Sequence, residues 1–349
     1  MRPAAMPRLF IHAINVHQGG GAVLLSDLLR AIPSEVVAFV QIDTRMCVEF
    51  DVPKSISIER VEPTLFSRLA AERRLVIMVK SSDCVFCFGN LPPLFKLRSD
   101  VTVFLQNRYL VDPEASLSEL PFKSRIRIWV ERAWLRLRRF NASRYIVQTE
   151  SMKRLALTRL GRPVSCVPFV PASVLNQVCG QNEQQFDFIY VASGEPHKNH
   201  EALINAWGVL ADQGLFPSLA LTLALELSPE LCAHVAHVAA SKGLRIQNLG
   251  LLPHDRLLEM YRASGALIYP SSFESFGLPL IEAQQAGLSV LAPELDYVRD
   301  VIDPDETFDP RSPISIARAV RRHIEERKPP LEPRCAETLL AHVMAGDVL

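Results

Sequence analysis

Apolar and polar positions along the chain follow two patterns: short continuous apolar runs, and longer segments with helical spacing. The apolar runs predict strands, and the segments between them predict helices. Repeated strand–helix alternation predicts parallel sheets covered by helices on both faces. In the first half the predicted strands are 9–15, 35–42, 84–88, 101–105, 144–148 and 164–169, and the clearest predicted helices are 20–32, 121–140 and 150–160.

The same alternation resumes after residue 185. A Pro- and polar-rich piece from Pro168 to Gln185 interrupts it and is the best candidate for a linker. We predict an α/β fold of two doubly wound, Rossmann-like domains that face each other across a cleft, with the ligand at the carboxyl ends of the strands. The later strands are predicted in FDFIYVAS, LALTLAL, RIQNLG, ALIYP and LSVLAP, and the helices near 200–213, 228–242, 254–263 and 279–286. The predicted boundaries are a first domain at 1–170, a linker at 171–185, a second domain at 186–327 and a helical tail at 328–349.

The composition indicates a globular protein, with 48% hydrophobic and 22% charged residues. No apolar run reaches the ~20 residues that a membrane-spanning helix needs. The first residues, MRPAAMPRLF, carry no apolar core or cleavage site of secretory type, so we expect a cytoplasmic protein with reduced thiols. Cys84 and Cys87 form a CxxC pair within a strand-like segment, which favours buried core thiols over a redox pair or half a zinc site.

The net charge of zero conceals a basic first half and an acidic second half. Residues 1–172 hold 25 Lys and Arg against 15 Asp and Glu, and the remainder holds 13 against 23. This asymmetry indicates that the first half faces something anionic. Nucleic acid is not the expected partner, because the chain has no aromatic RNA-binding motif and its second half is acidic.

The basic excess is densest in the predicted helix at 122–140, which has seven basic residues and one acidic residue. At helical spacing, Ile126, Val130, Ala133 and Leu137 form an apolar stripe beside a row of arginines. One interpretation is a helix lying on an anionic bilayer surface. The other is a core helix with a solvated basic face. The spread of basic charge favours membrane contact, for which the candidates are Arg125, Trp129, Arg132, Trp134, Arg136 and Arg139.

The segment ESFGLPLIE places two carboxylates eight residues apart, Glu274 in a loop and Glu282 about one turn into a helix. Pro279 suits the first turn of that helix, and Gly277 allows a ligand to approach the backbone. The start of a helix presents unpaired N–H groups that favour an anion. This layout suits a nucleotide-sugar, with amides for the phosphates and carboxylates for hydroxyls. The alternative is a simple strand–loop–helix connection with two surface glutamates.

Two further loops follow predicted strands. Gly19 to Gly21 lack the GxGxxG spacing of a dinucleotide fingerprint, but three glycines favour a binding loop over a simple turn. Lys198, in the loop YVASGEPHKNH, is placed to neutralise a diphosphate.

Three histidine or aspartate pairs resemble fragments of metal sites. His197 and His200 lack a third ligand, the His234–His237 pair lies on a predicted helix, and Asp303 and Asp305 flank a proline in a late turn. We therefore expect no metal.

Two longer segments, YVASGEPHKNHEALINAW and NLGLLPHDRLLEMYRASGALIYPSSFESFGLPLIEAQQAGLSVLAP, resemble the C-terminal half of retaining glycosyltransferases of the GT-B fold, family 4. The resemblance spans 188–302. It is weaker in the first half, where GGGAVLL, VFLQNRYL and YIVQTESMKRL are similar to enzymes of bacterial surface-polysaccharide assembly. The family resemblance implies a role for each matching residue. Glu282 would bind the donor ribose, Glu274 the donor sugar and Lys198 the phosphates; Phe276, Gly277 and Leu278 would contribute amides; Gly250, Leu251 and Leu252 would contact the base; and Gly19, Gly20 and Gly21 would lie near the diphosphate and acceptor.

Two positions depart from the family pattern. Ser193 stands where many relatives have an arginine, and Gln106-Asn107-Arg108 stands where many have a histidine. Diphosphate neutralisation would then depend on Lys198, on helix N-termini and on a cation such as Arg108. The amides would orient the sugar, and no obvious side-chain base remains. This suits a retaining front-face mechanism and is equally compatible with a weakened enzyme.

The resemblance and the charge pattern together predict a retaining, metal-independent glycosyltransferase without a cofactor. It would move a hexose or deoxyhexose, mannose or rhamnose being favoured, from a nucleotide-diphosphate sugar to a polyprenyl-diphosphate-linked glycan. The expected setting is lipopolysaccharide, O-antigen or capsule biosynthesis at the inner face of the cytoplasmic membrane. The alternatives are a catalytically weak partner in a polysaccharide-assembly complex and a nucleotide-sugar epimerase.

Overall fold

The computed structural model describes residues 8–46, 53–118, 120–171 and 183–325. Most of the predicted linker, at 172–182, and the whole predicted tail at 328–349 lie outside these residues. The domain boundaries therefore stay predictions.

The first sheet has seven parallel strands in the order β3-β2-β1-β4-β5-β6-β7. The reversal of strand order between β1 and β4 is the switch point of a doubly wound fold, and ligands bind in the crevice at such a point. The strands are β1 Leu9–Ala13, β2 Ala38–Asp43, β3 Ile56–Val61, β4 Cys84–Cys87, β5 Asp100–Phe104, β6 Arg144–Val147 and β7 Val164–Cys166.

The second sheet repeats the plan with six parallel strands in the order β10-β9-β8-β11-β12-β13. Its switch point lies between β8 and β11. The strands are β8 Phe186–Tyr190, β9 Leu219–Leu221, β10 Ile246–Asn248, β11 Ser264–Ile268, β12 Ser289–Pro293 and β13 Glu306–Phe308. Two parallel α/β domains confirm the predicted fold class.

Helices follow most of the described strands in both domains. In the first domain they are α1 Gly19–Arg30, α2 Leu65–Met78, α3 Phe122–Arg138 and α4 Glu150–Leu160. In the second they are α5 His200–Asp212, α6 Pro229–Lys242, α7 His254–Arg262, α8 Leu278–Gln285, α9 Asp296–Arg299 and α10 Pro313–Ile324. Short 3-10 helices lie at Arg108–Leu110, Arg139–Asn141 and Pro196–Lys198.

Several helix ends follow directly from local sequence. The Thr149 side chain accepts a hydrogen bond from Met152 N at 3.2 Å, which satisfies one of the unpaired amides at the start of α4. Gly161 ends the same helix with φ of 60°, a conformation that glycine adopts without strain. Pro229 begins α6 and Gly243 ends it in the same left-handed conformation.

Successive residues of the central strands supply the two faces of the first-domain core. Phe10 packs with Val85, Ile128 and other residues on one face of the sheet. Its neighbour Ile11 packs with Leu25 and the α1 side of the sheet, as strand geometry requires. The sheet is therefore buried on both faces, which explains why its strands are continuous apolar runs.

The two domains touch at the carboxyl edges of their sheets. Arg108 N donates to Ser275 Oγ at 2.9 Å, and the rings of Tyr109 and Phe273 lie 4.4 Å apart. Ser151 N donates to Asp300 Oδ2 at 3.0 Å on another part of the interface. These contacts border a cleft between the sheets.

The predicted apolar stripe of α3 faces mainly outward. Ile128 and Leu135 are the buried residues of this helix, whereas Ile126, Val130 and Leu137 are exposed. A helical pattern shows that an apolar face exists, but it does not show which of two neighbouring faces the core covers.

Two of the predicted membrane contacts, Arg132 and Trp134, are half-buried. Arg132 turns inward, where its Nε donates to Tyr109 O at 2.7 Å, and Trp134 Nε1 donates to Pro92 O at 3.0 Å. Both side chains therefore hold α3 against the domain. The CxxC segment was predicted to hold two buried thiols. This is correct for Cys87, which is buried, and wrong for Cys84, which is exposed.

Candidate active site

A cavity of about 620 Å³ lies between the two domains, at the carboxyl ends of both sheets. Its first-domain wall includes Gly19, Gly20, Gly21, Gln106 and Gln148. Its second-domain wall includes most of the predicted donor site, namely Ser193, Lys198, Leu251, Leu252, Glu274, Phe276, Gly277, Leu278 and Glu282.

Glu274 lies in the loop after β11 and forms an ion pair with Lys198. Lys198 Nζ is 2.6 Å from Glu274 Oε1, and Tyr269 Oη donates to the same oxygen at 2.9 Å. Burial alone would raise the pKa of Glu274, but the charges of Lys198 and His197 hold it below its usual value. Glu274 is therefore an ionised carboxylate at the base of the cleft.

Lys198 is held in place by its own backbone. Its carbonyl accepts a hydrogen bond from the buried Tyr190 hydroxyl at 2.5 Å, and the next residue, Asn199, has φ of 60°. The side chain is mostly shielded from solvent and points at Glu274. This position is at the end of β8, beside the switch point, where a bound diphosphate would lie.

Glu282 lies one turn into α8, with only 3% of the residue exposed. Tyr261 Oη donates to its Oε2 at 3.1 Å. Burial raises the pKa of Glu282 to about 7, although the bond from Tyr261 acts in the opposite direction. His254 Nδ1 lies 3.8 Å from the other carboxylate oxygen, and burial lowers the pKa of this histidine. Among the described residues, no lysine or arginine forms an ion pair with Glu282 that would fix its charge at neutral pH.

The turn before α8 requires glycine. Gly277 has φ of 79°, and an added Cβ would lie 2.9 Å from Leu280 Cδ1. The left-handed turn directs the start of α8 into the cleft, where Phe276 and Leu278 also line the wall. The start of α8 and Lys198 therefore line the same wall of the cleft, and both favour an anionic ligand.

The glycines of the first domain form the opposite wall. Gly19 begins α1 with φ of 66°, and nothing lies within 4 Å of a Cβ built on Gly20. A Cβ on Gly21 would lie 3.5 Å from Gln106 Oε1. Gln106 is in turn positioned by Asn90, whose Oδ1 accepts from Gln106 N at 2.6 Å. Close approach to the backbone is thus open from this side.

Two residues of the predicted acceptor loop do not line the cleft. Asn107 caps a 3-10 helix, where its Oδ1 accepts from Tyr109 N at 3.1 Å. The Arg108 Nε donates to Asp112 at 2.8 Å, and its guanidinium lies 4.9 Å from the centre of the Phe273 ring. Arg108 thus contributes to the contact between domains and not to the neutralisation of a ligand in this arrangement.

Other predicted residues differ in smaller ways. Gly250 has φ of 74° and lies just before the cleft residues Leu251 and Leu252. Ser193, at the position of the missing arginine, donates its hydroxyl hydrogen bond to the Glu195 carboxylate. Tyr261 and Tyr269 could not be recognised as site residues from the sequence, because a tyrosine in an apolar strand or helix is ordinarily a core residue.

The described part of the chain holds no group of three or more His, Cys, Asp or Glu side chains arranged to bind a metal. His200 is buried against the Tyr190 ring, and burial lowers its pKa to about 3. Asp303 pairs with Arg299, and Asp305 accepts from Val290 N at 2.8 Å. These candidates have structural roles. Among the described helices, none is both long and apolar enough to cross a lipid bilayer.

Comparison with known proteins agrees with this geometry. Residues 175–338 match the family described as Glycosyl transferases group 1. Over 136 residues the chain is 32% identical to the serotype-specific mannosyltransferase WbdA of Escherichia coli. The aligned segment covers 38% of this chain and 17% of that protein. Over 176 residues it is 25% identical to the O-antigen chain mannosyltransferase B of Escherichia coli, covering 50% of this chain and 46% of that protein. The chain thus spans less than half the length of these relatives.

A solved structure extends the similarity to both domains. The Anabaena protein HepE, solved in complex with UDP and glucose, superimposes with a TM-score of 0.68 at 17% identity, covering 92% of this chain and 90% of that chain. The fold is therefore GT-B. Within it, residues 175–338 match the glycosyl transferases group 1 family, and the sequence resembles O-antigen mannosyltransferases.

Proposed function

We propose that this chain is a retaining glycosyltransferase that uses a nucleotide-diphosphate sugar, with a mannose-type donor favoured over other hexoses and deoxyhexoses. The observation that carries the proposal is the meeting of Lys198, Glu274, Glu282 and the start of α8 at one switch point. The names of the related mannosyltransferases support the choice of sugar.

The donor would lie along the second-domain wall. Glu282 would accept hydrogen bonds from the ribose hydroxyls, since an ionised carboxylate is an acceptor only. The diphosphate would meet Lys198 and the amides at the start of α8, and Glu274 would contact the hydroxyls of the sugar. The base would lie against Leu251 and Leu252, both on the same wall.

The reaction would break the bond between the sugar C1 and the leaving phosphate oxygen. The acceptor hydroxyl would attack C1 from the face that the phosphate leaves, and its proton would pass to the departing phosphate oxygen. Among the described residues, the titratable side chains that line the cleft belong to the second domain. A base supplied by the leaving group itself fits this arrangement and gives retention. The protein would contribute positioning and stabilisation of the growing phosphate charge.

Stabilisation of the leaving diphosphate is proposed to need no metal ion or other cofactor. Lys198 supplies a full positive charge, and the first turn of α8 supplies the partial charge of a helix start. Both lie on the same wall of the cleft.

The acceptor is proposed to be a polyprenyl-diphosphate-linked glycan of lipopolysaccharide, O-antigen or capsule assembly, met at the inner face of the cytoplasmic membrane. Support comes from the outer face of α3, where Trp129 is 69% exposed beside the exposed Ile126 and Val130. Arg125 and Arg136 are exposed on the same helix. Exposed apolar and basic side chains together suit an anionic lipid surface.

The first experiment is calorimetric titration of GDP, UDP and dTDP into the purified chain, with and without a divalent metal and a chelator. We expect one nucleotide to bind without metal, and binding to weaken strongly in Glu282→Ala. Transfer from the matching nucleotide-sugar, with the anomeric configuration of the product determined by NMR, tests retention. Binding without turnover would favour the catalytically weak partner, and an inverted product would contradict the proposed mechanism.

A further inference from the structure

A second cavity, of about 440 Å³, lies inside the first domain between α2 and α3. This volume is within the range of about 300–1,000 Å³ that is typical of small-molecule sites. Its walls are mainly apolar and include Ile14, Leu69, Leu91, Leu94 and Trp134. Such walls suit a hydrocarbon chain better than a sugar, whose hydroxyls would find few partners there.

The rim of this cavity is continuous with the exposed apolar surface of α2 and α3. Leu65 and Val130 line the cavity, yet they are 87% and 49% exposed. Phe66 follows Leu65 on α2, and Trp129 precedes Val130 on α3, and both are exposed. The rim therefore opens onto the surface that the proposed function places against a membrane, from which a lipid chain could enter.

Two arginines at the cavity are available to an anion. Arg68 and Arg127 both line it, and the buried Arg68 Nε has no hydrogen-bond partner among the described residues. Each guanidinium has only a long ion pair, at 3.7 Å from Arg68 Nη2 to Asp43 Oδ2 and at 3.9 Å from Arg127 Nε to Glu131 Oε1. A buried donor without a partner implies a missing acceptor, and guanidinium groups match phosphate oxygens well.

Two carboxylates, Glu72 and Glu131, also line the cavity. Burial raises the pKa of Glu131, although the charges of Arg127 and Arg68 act in the opposite direction. On the cavity floor, Glu72 is already satisfied by Leu94 N at 3.0 Å and by His12 Nε2 at 3.4 Å. The polar groups on the cavity floor therefore pair with each other. The polar atom that lacks a partner at this cavity, among the described residues, is Arg68 Nε.

The cavity and the interdomain cleft meet along one loop. Asn15 and Gly89 line the cavity at the ends of β1 and β4. The next residue, Asn90, accepts hydrogen bonds from the backbone amides of Gln106 and Asn107 at 2.6 and 2.8 Å, and Gln106 lines the cleft. If the polar end of a ligand lay at this loop, the group attached to that end would lie near the interdomain cleft, where the donor is proposed to bind.

We propose that this cavity binds the first isoprene units of a polyprenyl-diphosphate-linked acceptor, with the acceptor diphosphate on Arg68 and Arg127. The proposal rests on the proposed function and deepens it by giving the acceptor lipid its own site. The glycan would extend from this diphosphate past Asn90 toward the cleft.

Trp134 provides a direct test, because its indole lines the cavity and is fixed by its bond to Pro92 O. In a Trp129→Phe background, the remaining described tryptophan, Trp207, is buried in the second domain and does not report on the cavity. Farnesyl diphosphate, kept below its aggregation concentration, is the probe, and farnesol and inorganic diphosphate are its two halves. We expect a saturable change in fluorescence, with farnesyl diphosphate binding more tightly than either half.

Two variants locate the binding. Arg127→Gln should weaken the binding of farnesyl diphosphate by about tenfold, which is the contribution of one charge-assisted hydrogen bond. The binding of farnesol should be unchanged. Val130→Phe, which narrows the rim, should weaken both ligands. Arg138→Gln, an exposed arginine elsewhere on α3, is the matched control and should behave as the parent.

Three results would overturn the proposal. The first is that farnesyl diphosphate causes no change in fluorescence. The second is that inorganic diphosphate binds as tightly as farnesyl diphosphate, and the third is that farnesol does. Calorimetric nucleotide binding on the same samples separates this failure from failure of the proposed function. If the nucleotide binds and its sugar is transferred to a water-soluble acceptor, but farnesyl diphosphate does not bind, only the lipid site is wrong.

Discussion

Lys198 Nζ and Glu274 Oε1 lie 2.6 Å apart at the base of the cleft, and both side chains are mostly removed from solvent. The opposite charges of the two side chains neutralise each other. A bound diphosphate would draw Lys198 toward its own charge, and the sugar hydroxyls would then become the partners of Glu274. The proposed donor would thus replace an internal ion pair with two interactions of its own.

This pair should be most visible in stability as a double-mutant cycle. Lys198→Met leaves Glu274 buried without its cation, and we expect it to lower the free energy of unfolding by about 3–5 kcal/mol. Adding Glu274→Gln removes the uncompensated charge and should restore much of that loss. Denaturant unfolding of the single and double variants measures it. Additive losses in the double variant would show that the two side chains are not coupled.

Lys198 should also affect the chemical step more than donor binding. Charge on the leaving diphosphate grows as the sugar bond breaks, so Lys198→Ala should lower kcat by about 10²–10³, as loss of one preorganised donor does in other enzymes. Steady-state kinetics with a saturating acceptor measures kcat and KM separately. Lys242→Ala, an exposed lysine of the same domain, is the control. An unchanged kcat in Lys198→Ala would remove this residue from the mechanism.

Glu282 should make nucleotide affinity depend on pH. Its pKa is raised to about 7 by burial, so the carboxyl is protonated in much of the free protein below that pH. A protonated carboxyl accepts fewer hydrogen bonds from ribose, and affinity should fall about tenfold from pH 8 to pH 6. Titration at both pH values tests this. The Glu282→Gln variant should bind the nucleotide more weakly at pH 8 and lack the pH dependence that comes from Glu282. Any pH dependence that remains in the variant would come from protonation of the nucleotide itself.

The same shift has a consequence for stability. The folded protein holds a proton on Glu282 between the ordinary glutamate pKa and about 7, whereas the unfolded chain has released it. Stability therefore falls as pH rises through this window, by roughly 3 kcal/mol at most. Glu282→Gln should raise the melting temperature relative to the parent at pH 8 and have little effect at pH 4.5. A constant difference at both pH values would contradict the shift.

Two arginines of α3 should have opposite roles. Arg132 donates to Tyr109 O and Asp112 O, at 2.7 and 3.2 Å, whereas Arg136 is exposed. We expect Arg132→Ala to lower thermal stability and to leave binding to anionic vesicles unchanged. Arg136→Ala should weaken vesicle binding by about 1 kcal/mol and leave stability unchanged. Vesicle sedimentation and thermal melts on both variants test the assignment. Equal behaviour in both assays would remove α3 from the membrane surface.

The sequence predicted the helices and strands that have a regular pattern of apolar residues. It failed for elements in which buried and exposed positions do not follow that pattern. Strand β3, ISIERV, buries only its first and last residues among polar ones, so it gave no apolar run. Helix α2 exposes Leu65, Phe66 and Ile77 while it buries Glu72, which inverts the usual pattern. These elements depend on tertiary contacts that spacing does not record.

The candidate site shows the same limit. The loop-and-helix layout around Glu274 and Glu282 was visible from Gly277, Pro279 and the eight-residue spacing. The partner of each carboxylate was not visible as such: Tyr261 precedes Glu282 by 21 residues, and Lys198 precedes Glu274 by 76. Only the packing of the second domain brings these groups together.

The stack of Tyr109 on Phe273 should hold the domains in their present arrangement. The ring pair contributes about 0.5–1.5 kcal/mol beyond burial, and Arg108 over the same ring about 0.5–1 kcal/mol. Phe273→Ala should therefore shift the equilibrium toward an open cleft by roughly 5–50-fold. Because nucleotide contacts come mainly from the second domain, nucleotide affinity should change little while kcat falls, since transfer needs both walls.

Small-angle scattering and kinetics together test this coupling. Phe273→Ala should increase the radius of gyration of the free protein, and the nucleotide-sugar should reverse part of the increase. Phe216→Ala removes an exposed phenylalanine of the same domain and should change neither quantity. If kcat fell in Phe273→Ala with no change in scattering, the ring would act on the neighbouring Glu274 loop and not on closure. Ser275→Ala separates these two explanations, because it removes the acceptor of Arg108 N and leaves the ring in place.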